Sequence, residues 1–249
     1  MPSLNIVILG PAGSGKTYLT WKFGEWIKNN TSNSVSFINF DPGVEWLPYK
    51  PDFDIKKFFS VQELMKRKHL GPNGALIECM NLMIKNKNKI KNEIYKLKTD
   101  FRVIDLPGQL EIFIFHPVVE ILKIFERTTV GLFLIPSELL TPSGIAVSEL
   151  LSLATKLRIE IPTVNIISKG DKIKNKKIIE KLILKPEILR KNIEELKIGV
   201  EKDLVFAIAD IVEKISKSSR IIQVSAKKEK NIDILYGLVH EMLCSCGEI

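Results

Sequence analysis

The sequence predicts a three-layer α/β fold, with a mostly parallel sheet between helices. Three observations carry that expectation. Short apolar runs alternate with helical patterns along the chain, as crossover-connected parallel strands require. Nearly every apolar run ends in a polar or glycine-rich cluster, where ligands of such sheets bind. The first run, Leu4 to Leu9, leads directly into Gly10-Pro11-Ala12-Gly13-Ser14-Gly15-Lys16-Thr17. That octet matches G-x-x-x-x-G-K-[ST], so the expected class is the phosphate-loop NTPase fold with helical insertions.

The elements follow in order. Asn5 to Leu9 is a buried strand, and Tyr18 to Asn29 is a helix opening on the phosphate loop. Val35 to Phe40 is a second strand, ending at Asp41-Pro42-Gly43. An insertion over about 43–100 holds Pro48 and Pro51, a helix from about Ile55, the turn Gly71-Pro72-Asn73-Gly74, and one long helix from Ala75 to about Leu97. Phe101 to Ile104 is the third strand, ending at Asp105-Leu106-Pro107-Gly108. Thr129 to Ile135 and Thr163 to Ile167 are the fourth and fifth, with a helix from Ser143 to Leu157 between them. A second insertion, about 172–218, reads as two or three lysine- and isoleucine-rich helices interrupted at Pro186. Arg220 to Val224 is the sixth strand, and Ile232 to Leu243 a closing helix. With no internal repeat or low-complexity linker, residues 1–249 are expected to form a single domain.

Composition narrows the class. The chain has 249 residues, 45% hydrophobic and 27% charged, as a folded globular protein does. No apolar run approaches the roughly 18 residues of a membrane span. The N-terminal run is too short for a signal peptide, so a cytoplasmic location without membrane partners is expected. Cys79, Cys244 and Cys246 give no disulfide framework, and Cys244-Ser245-Cys246 lacks the second pair that zinc needs. The net charge is +8, and lysines cluster at 85, 87, 89, 91, 96 and 98 and again at 172, 174, 176 and 177. These clusters lack interleaved aromatics apart from Tyr95 and read as solvated helix faces rather than a nucleic-acid platform.

The chemistry starts at the phosphate loop. Its glycines turn backbone N–H groups toward phosphate oxygens, and the helix N-terminus adds its dipole. Gly13, Ser14, Gly15, Lys16, Thr17 and Tyr18 are therefore candidate nucleotide-binding residues. Lys16 is placed to reach the β- and γ-phosphates, and the Thr17 hydroxyl to bind Mg²⁺. Asp105 at the third strand's end and Asp41 at the second's are the candidate metal-side carboxylates. Gly108 can present an N–H to a γ-phosphate. Gln109 can orient an attacking water, with Glu111 beside it.

Ser168-Lys169-Gly170-Asp171 resembles the guanine-reading [NT]-K-x-D pattern, with serine where asparagine or threonine is usual. Asp171 can accept from guanine N1–H and the 2-amino group, which adenine cannot supply, while the Lys169 stem packs along the base. Ser225-Ala226-Lys227, one strand later, resembles the loop whose backbone contacts guanine O6. GTP and GDP are favoured over adenine nucleotides.

Together these residues resemble the GPN-loop GTPases. The diagnostic segment is Leu70-Gly71-Pro72-Asn73-Gly74-Ala75-Leu76, flanked by Asp41-Pro42…Leu47-Pro48-Tyr49 and by Asp105-Leu106-Pro107-Gly108-Gln109-Leu110-Glu111. The resemblance runs from the phosphate loop to Lys227 and is weakest over 172–218. It implies a homodimeric GTPase switch whose Gly71-Pro72-Asn73 loop enters the partner's site, where Asn73 donates near the phosphate or the attacking water. It also implies a protein-complex client, as RNA polymerase is for eukaryotic members. Two other classes share the phosphate loop. A phosphotransferase needs an arginine-bearing lid, and Arg67, Arg102, Arg127, Arg158, Arg190 and Arg220 form no paired cluster in sequence. A nucleotide-dependent nucleic-acid binder would instead use the lysine runs.

Overall fold

The computed structural model describes residues 3–125, 128–173, 185–195, 202–218 and 221–245. Among these, seven strands form one sheet: β1 (Leu4–Leu9), β2 (Val35–Asn39), β3 (Phe53–Asp54), β4 (Phe101–Asp105), β5 (Thr129–Pro136), β6 (Thr163–Ser168) and β7 (Ile222–Gln223). Their order is β3-β2-β4-β1-β5-β6-β7, and every neighbouring pair is parallel. From β1 the chain goes out to β2 and β3, returns to β4 beside β1, and then winds away on the other side through β5, β6 and β7, so the phosphate loop leaves the central strand, where the two directions of winding meet. That switch point is where open α/β sheets bind ligands.

Side chains alternate across a strand, and β1 supplies both cores accordingly. Ile6 and Ile8 face one core with Leu19, Phe23, Phe37, Val103 and Leu132. Val7 and Leu9 face the other with Phe40, Ile104, Phe133 and the helices of the first insertion. Burial on both faces explains why the strands read as continuous apolar runs. At Gly24, in α1 (Lys16–Asn30), an added Cβ would overlap the Phe37 ring of β2. Helix and strand approach that closely only because the residue has no side chain.

The first insertion differs from its sequence reading in two places. Ile55–Lys57 is only a 3₁₀ turn, and the helix proper, α2 (Val61–Lys68), starts six residues after Ile55. Ser60 caps α2 by accepting from the Glu63 N–H at 3.3 Å, the Ser-x-x-Glu start signal. The long helix is divided into α3 (Pro72–Lys85) and α4 (Lys87–Tyr95). Asn86 divides them by donating its side-chain amide to the Leu82 carbonyl at 2.8 Å, competing with the backbone ladder. On α4 only Ile90 and Ile94 are buried, and Lys89 is exposed to solvent.

Beyond β4 come α5 (Leu110–Phe115), a 3₁₀ segment at Pro117–Phe125, and, after β5, α6 (Pro142–Ile159). The second insertion contributes α7 (Pro186–Glu194) and α8 (Lys202–Ser218). Leu189, Ile193, Ala209 and Val212 pack them onto Ile145 and Ala146 of α6. The sixth expected strand shortens to β7, with Arg220 outside the described residues, and α9 (Ile232–Ser245) closes the chain. Lys174, Lys176, Lys177, Arg127 and Cys246 also lie outside them. Among the described residues no helix is long and apolar enough to cross a membrane.

Candidate nucleotide site

The loop after β1 has left-handed or otherwise positive φ at Gly10 (142°), Gly13 (72°) and Gly15 (92°). A Cβ at Gly10 would also stand 2.8 Å from Ser14 Oγ and 2.9 Å from the Leu134 carbonyl oxygen. Glycine is therefore required by backbone angle at all three positions and by space at the first. Lys16 is the first residue of α1 and is buried. Its ammonium donates to the carbonyl oxygens of Gly10 (2.8 Å), Pro11 (3.0 Å) and Gly108 (3.4 Å). Burial lowers its pKa, while Asp105, Asp41 and Glu111 act in the opposite direction.

β2 and β4 are adjacent, so their C-terminal ends bring Asp41 and Asp105 to the loop's other flank. Asp105 is fully buried. Burial pushes its pKa up to about 7, with Asp41 adding to the rise and the Thr17 hydroxyl, Lys16 and Tyr49 opposing it. The Tyr49 hydroxyl donates to Asp105 Oδ2 at 3.2 Å; the Thr17 hydroxyl stands close to the carboxylate, but Asp105 Oδ1 meets no partner in good hydrogen-bonding geometry. Asp41 Oδ1 accepts from the Gly43 N–H at 2.8 Å and Oδ2 from the Gly108 N–H at 3.3 Å. Burial raises the Asp41 pKa against those two bonds. The Gly108 N–H, expected to face a γ-phosphate, is thus directed at Asp41.

Thr17, Asp41 and Asp105 present hard oxygen donors, one of them a buried carboxylate oxygen without a well-aligned partner. That set fits Mg²⁺, which takes one or two carboxylates and completes its shell with phosphate oxygens and water. Among the described residues no group of three or more His, Cys, Asp or Glu side chains is placed to hold a metal by itself.

Gln109 precedes α5, and its side-chain amide donates to Asn73 Oδ1 at 3.4 Å within the same chain. The Gly71-Pro72-Asn73 turn is exposed and opens α3, with Gly71 as the N-cap and Pro72 in the first turn. Glu111 is exposed in the first turn of α5. Tyr18 lies on α1 and packs edge-on against Trp21 with ring centroids 5.5 Å apart.

The base-reading candidates gather across the sheet, beyond β6 and β7. Asp171, Ser225, Gly170, Gln223, Lys228 and Lys230 line a cleft of about 180 Å³. The Ser225 hydroxyl donates to Asp171 Oδ1 at 2.6 Å and, with nearby lysines, holds the Asp171 pKa below the usual carboxylate value. Lys169 has φ 55°, and its ammonium pairs with Glu138 at 2.9 Å. The Ser168 hydroxyl donates to the Ser14 carbonyl oxygen at 2.7 Å. Ala226 packs against the core on the α1 side, and Lys227 is exposed.

The structure thus brings Lys16, Thr17, Asp41, Asp105, Gly108, Gln109 and Asn73 to one end of a continuous rim. Lys169, Asp171 and Ser225 stand at the other end. Sequence reasoning assigned no role to Tyr49, Glu138 or Gln223. Tyr49 had a usable signal, being an aromatic hydroxyl between Pro48 and Pro51 in the segment leaving β2. Glu138 had none, since its pairing with Lys169 depends on the adjacency of β5 and β6.

The chain is similar to known proteins over nearly its whole length. A family model described as "Conserved hypothetical ATP binding protein" matches residues 8–245. GPN-loop GTPase PAB0955 of Pyrococcus abyssi is 30% identical over 253 residues, covering 98% of this chain and 99% of that protein. The crystal structure of PAB0955, described as a GTPase in apo form, aligns with a TM-score of 0.86 at 28% identity. That alignment covers 99% of this chain and 100% of the other. GPN-loop GTPase 3 of Dictyostelium discoideum is 34% identical over 188 residues, 71% of this chain and 65% of that protein.

Proposed function

This chain belongs to the GPN-loop GTPase family, and from that premise we propose that it binds GTP and hydrolyses it to GDP and phosphate as a homodimeric switch. The observation that carries the nucleotide choice is Asp171, held by Ser225 at 2.6 Å in a cleft at the strand ends. The matching family description speaks of ATP. A carboxylate there accepts from guanine's two donors, whereas adenine would leave it facing an acceptor and an unpaired edge, costing about 1–3 kcal/mol. GTP is the better fit.

Lys16 exchanges its carbonyl partners for β- and γ-phosphate oxygens, and the positive-φ loop supplies backbone N–H groups around them. Thr17, Asp41 and Asp105 are the residues that would hold Mg²⁺. When bound, the ion neutralises charge developing on the phosphate oxygens. Gln109 orients water, Glu111 supports the same region, and Asn73 donates toward the developing charge without adding charge of its own.

The dimer reading draws support from exposure on the segments that carry the site. Trp46, five residues after Asp41, is 73% exposed, and Phe115, six after Gln109, is 78% exposed. The Gly71-Pro72-Asn73 turn is exposed as well, and its contact in the site, Asn73 with Gln109, is a long 3.4 Å bond within the same chain that a second copy would have to replace. A protein assembly such as RNA polymerase is the client that the family resemblance suggests.

Mixing two inactive variants tests the reading. In a heterodimer of Asn73→Ala and Lys16→Ala, the intact Lys16 site receives Asn73 only from its partner. With Asn73 acting across the dimer, GTP turnover returns to about a quarter of wild type after random reassortment. A mixture as inactive as its components places Asn73 in its own chain's site. A wild-type protein that releases no phosphate from GTP removes the hydrolase reading altogether.

A further inference from the structure

We propose that Tyr49 is a positioning residue for the GTP reaction: its hydroxyl fixes the Asp105 carboxylate so that one oxygen remains directed at the Thr17 side for the cation's shell. The proposal rests on the GTPase reading above and adds a residue to it.

The geometry is specific. The Tyr49 hydroxyl donates to Asp105 Oδ2 at 3.2 Å, and Oδ1 is the buried oxygen left without a well-aligned partner. A carboxylate's terminal torsion is broad, so the aspartate itself leaves the plane of its two equivalent oxygens free to turn. A hydrogen bond to one oxygen fixes that plane and with it the direction of the other.

Tyr49 is well placed to hold that plane because its own position is over-determined. Its ring packs on Phe37 with centroids 4.8 Å apart and planes at 31°, and only 8% of the residue is exposed. The segment that follows it is pinned to β2, and the segment that precedes it is tied to Lys56. The Asp52 N–H donates to the Phe37 carbonyl at 2.9 Å, and Asp52 Oδ2 accepts from the Phe37 N–H at 2.8 Å. Asn39 donates to Asp54 Oδ1 at 2.8 Å, and Lys56 donates to the Val44 carbonyl at 2.9 Å. Tyr49 therefore reaches over the end of β2 to the end of β4 from a fixed base. Partners that orient a metal ligand typically change metal affinity by about 10–100-fold when removed.

The test is Tyr49→Phe, which keeps the ring on Phe37 and deletes only the hydroxyl. Binding of a fluorescent, non-hydrolysable GTP analogue is titrated with Mg²⁺ and, separately, measured in excess chelator. The expected result is at least a tenfold rise in the Mg²⁺ concentration for half-maximal effect, with affinity in chelator unchanged. A titration that superimposes on wild type overturns the role of Tyr49. So does an affinity loss that is equal with and without the cation, since that marks general structural support. A wild-type protein that binds the analogue equally with and without Mg²⁺ overturns both this proposal and the metal reading. One that does not bind the analogue at all overturns the GTPase reading itself.

Discussion

The hydroxyl of Ser168, at the end of β6, donates to the carbonyl oxygen of Ser14, in the phosphate loop, at 2.7 Å. The bond spans 154 positions of sequence and is buried. It ties the base-reading half of the rim to the phosphate-reading half. Serine in place of asparagine or threonine therefore still supplies a donor to the loop.

Ser168→Ala removes that donor and leaves the Ser14 carbonyl without its partner. The expected outcome is a fall in GTP affinity of about tenfold, from a penalty of roughly 1–2 kcal/mol. Ser168→Asn restores a donor and holds affinity within about threefold of wild type. Isothermal titration calorimetry with GTP reads both; wild-type affinity in the alanine variant would sink the tether.

Asp171→Asn retains an oxygen for the Ser225 hydroxyl but turns an amide toward the base. GTP is expected to bind about 10–100-fold more weakly. Xanthosine triphosphate carries a carbonyl where guanine has its amino group, so the variant should bind it more tightly than GTP. Competition between the two nucleotides measures this, and an unchanged preference for GTP would remove Asp171 from base reading.

Glu149 of α6 is fully buried and accepts from the Asn165 amide of β6 at 2.8 Å. Burial pushes its pKa up to about 7 from an ordinary value of 4.5, against the opposing pull of Lys156 and Asn165. A carboxyl whose folded pKa lies above its unfolded one favours the fold below the unfolded pKa, and that advantage is lost as pH rises through the folded pKa. Ionisation should therefore cost up to roughly 3 kcal/mol above neutrality. Glu149→Gln is expected to raise the melting temperature at about pH 8 and to leave it nearly unchanged at about pH 4. Parallel melting curves for the two proteins across that range would contradict the assignment.

Gly24→Ala sets two effects against each other. Alanine favours the helix by about 1 kcal/mol, but its Cβ would overlap the Phe37 ring. Overpacking of a filled core costs about 1–3 kcal/mol, so destabilisation should win. A Phe37→Leu background, which opens space there, should reverse the sign. Denaturant unfolding of the four proteins of this cycle gives the answer; a stabilised Gly24→Ala single variant would refute the close approach.

Much of this was legible in the sequence because it is written in local patterns. Buried parallel strands announce themselves as apolar runs, and β1, β2, β4, β5 and β6 lie within one residue of where those runs predict. The phosphate loop is local too, since its glycines and Lys16 act within one turn. What was not legible depends on small energies or on distant neighbours. β3 is two residues long and exists because Asp52 and Asn39 fasten its approach to β2. The break at Asn86 is a single amide competing with the helix ladder. Tyr49 and Glu138 act on residues 56 and 31 positions away, and only the order of strands brings them together.

That order also sets a length scale. β4 and β6 are separated by β1 and β5, so their ends stand three strand spacings apart, about 14 Å. Asp105 marks one end of this interval and the Ser168-Lys169-Gly170-Asp171 turn marks the other. The sheet acts as a ruler laid under the nucleotide, graduated in strand widths that loop insertions do not alter. The helices over 43–100 and 172–218 can therefore vary in length and charge while the distance between phosphate and base readers stays fixed.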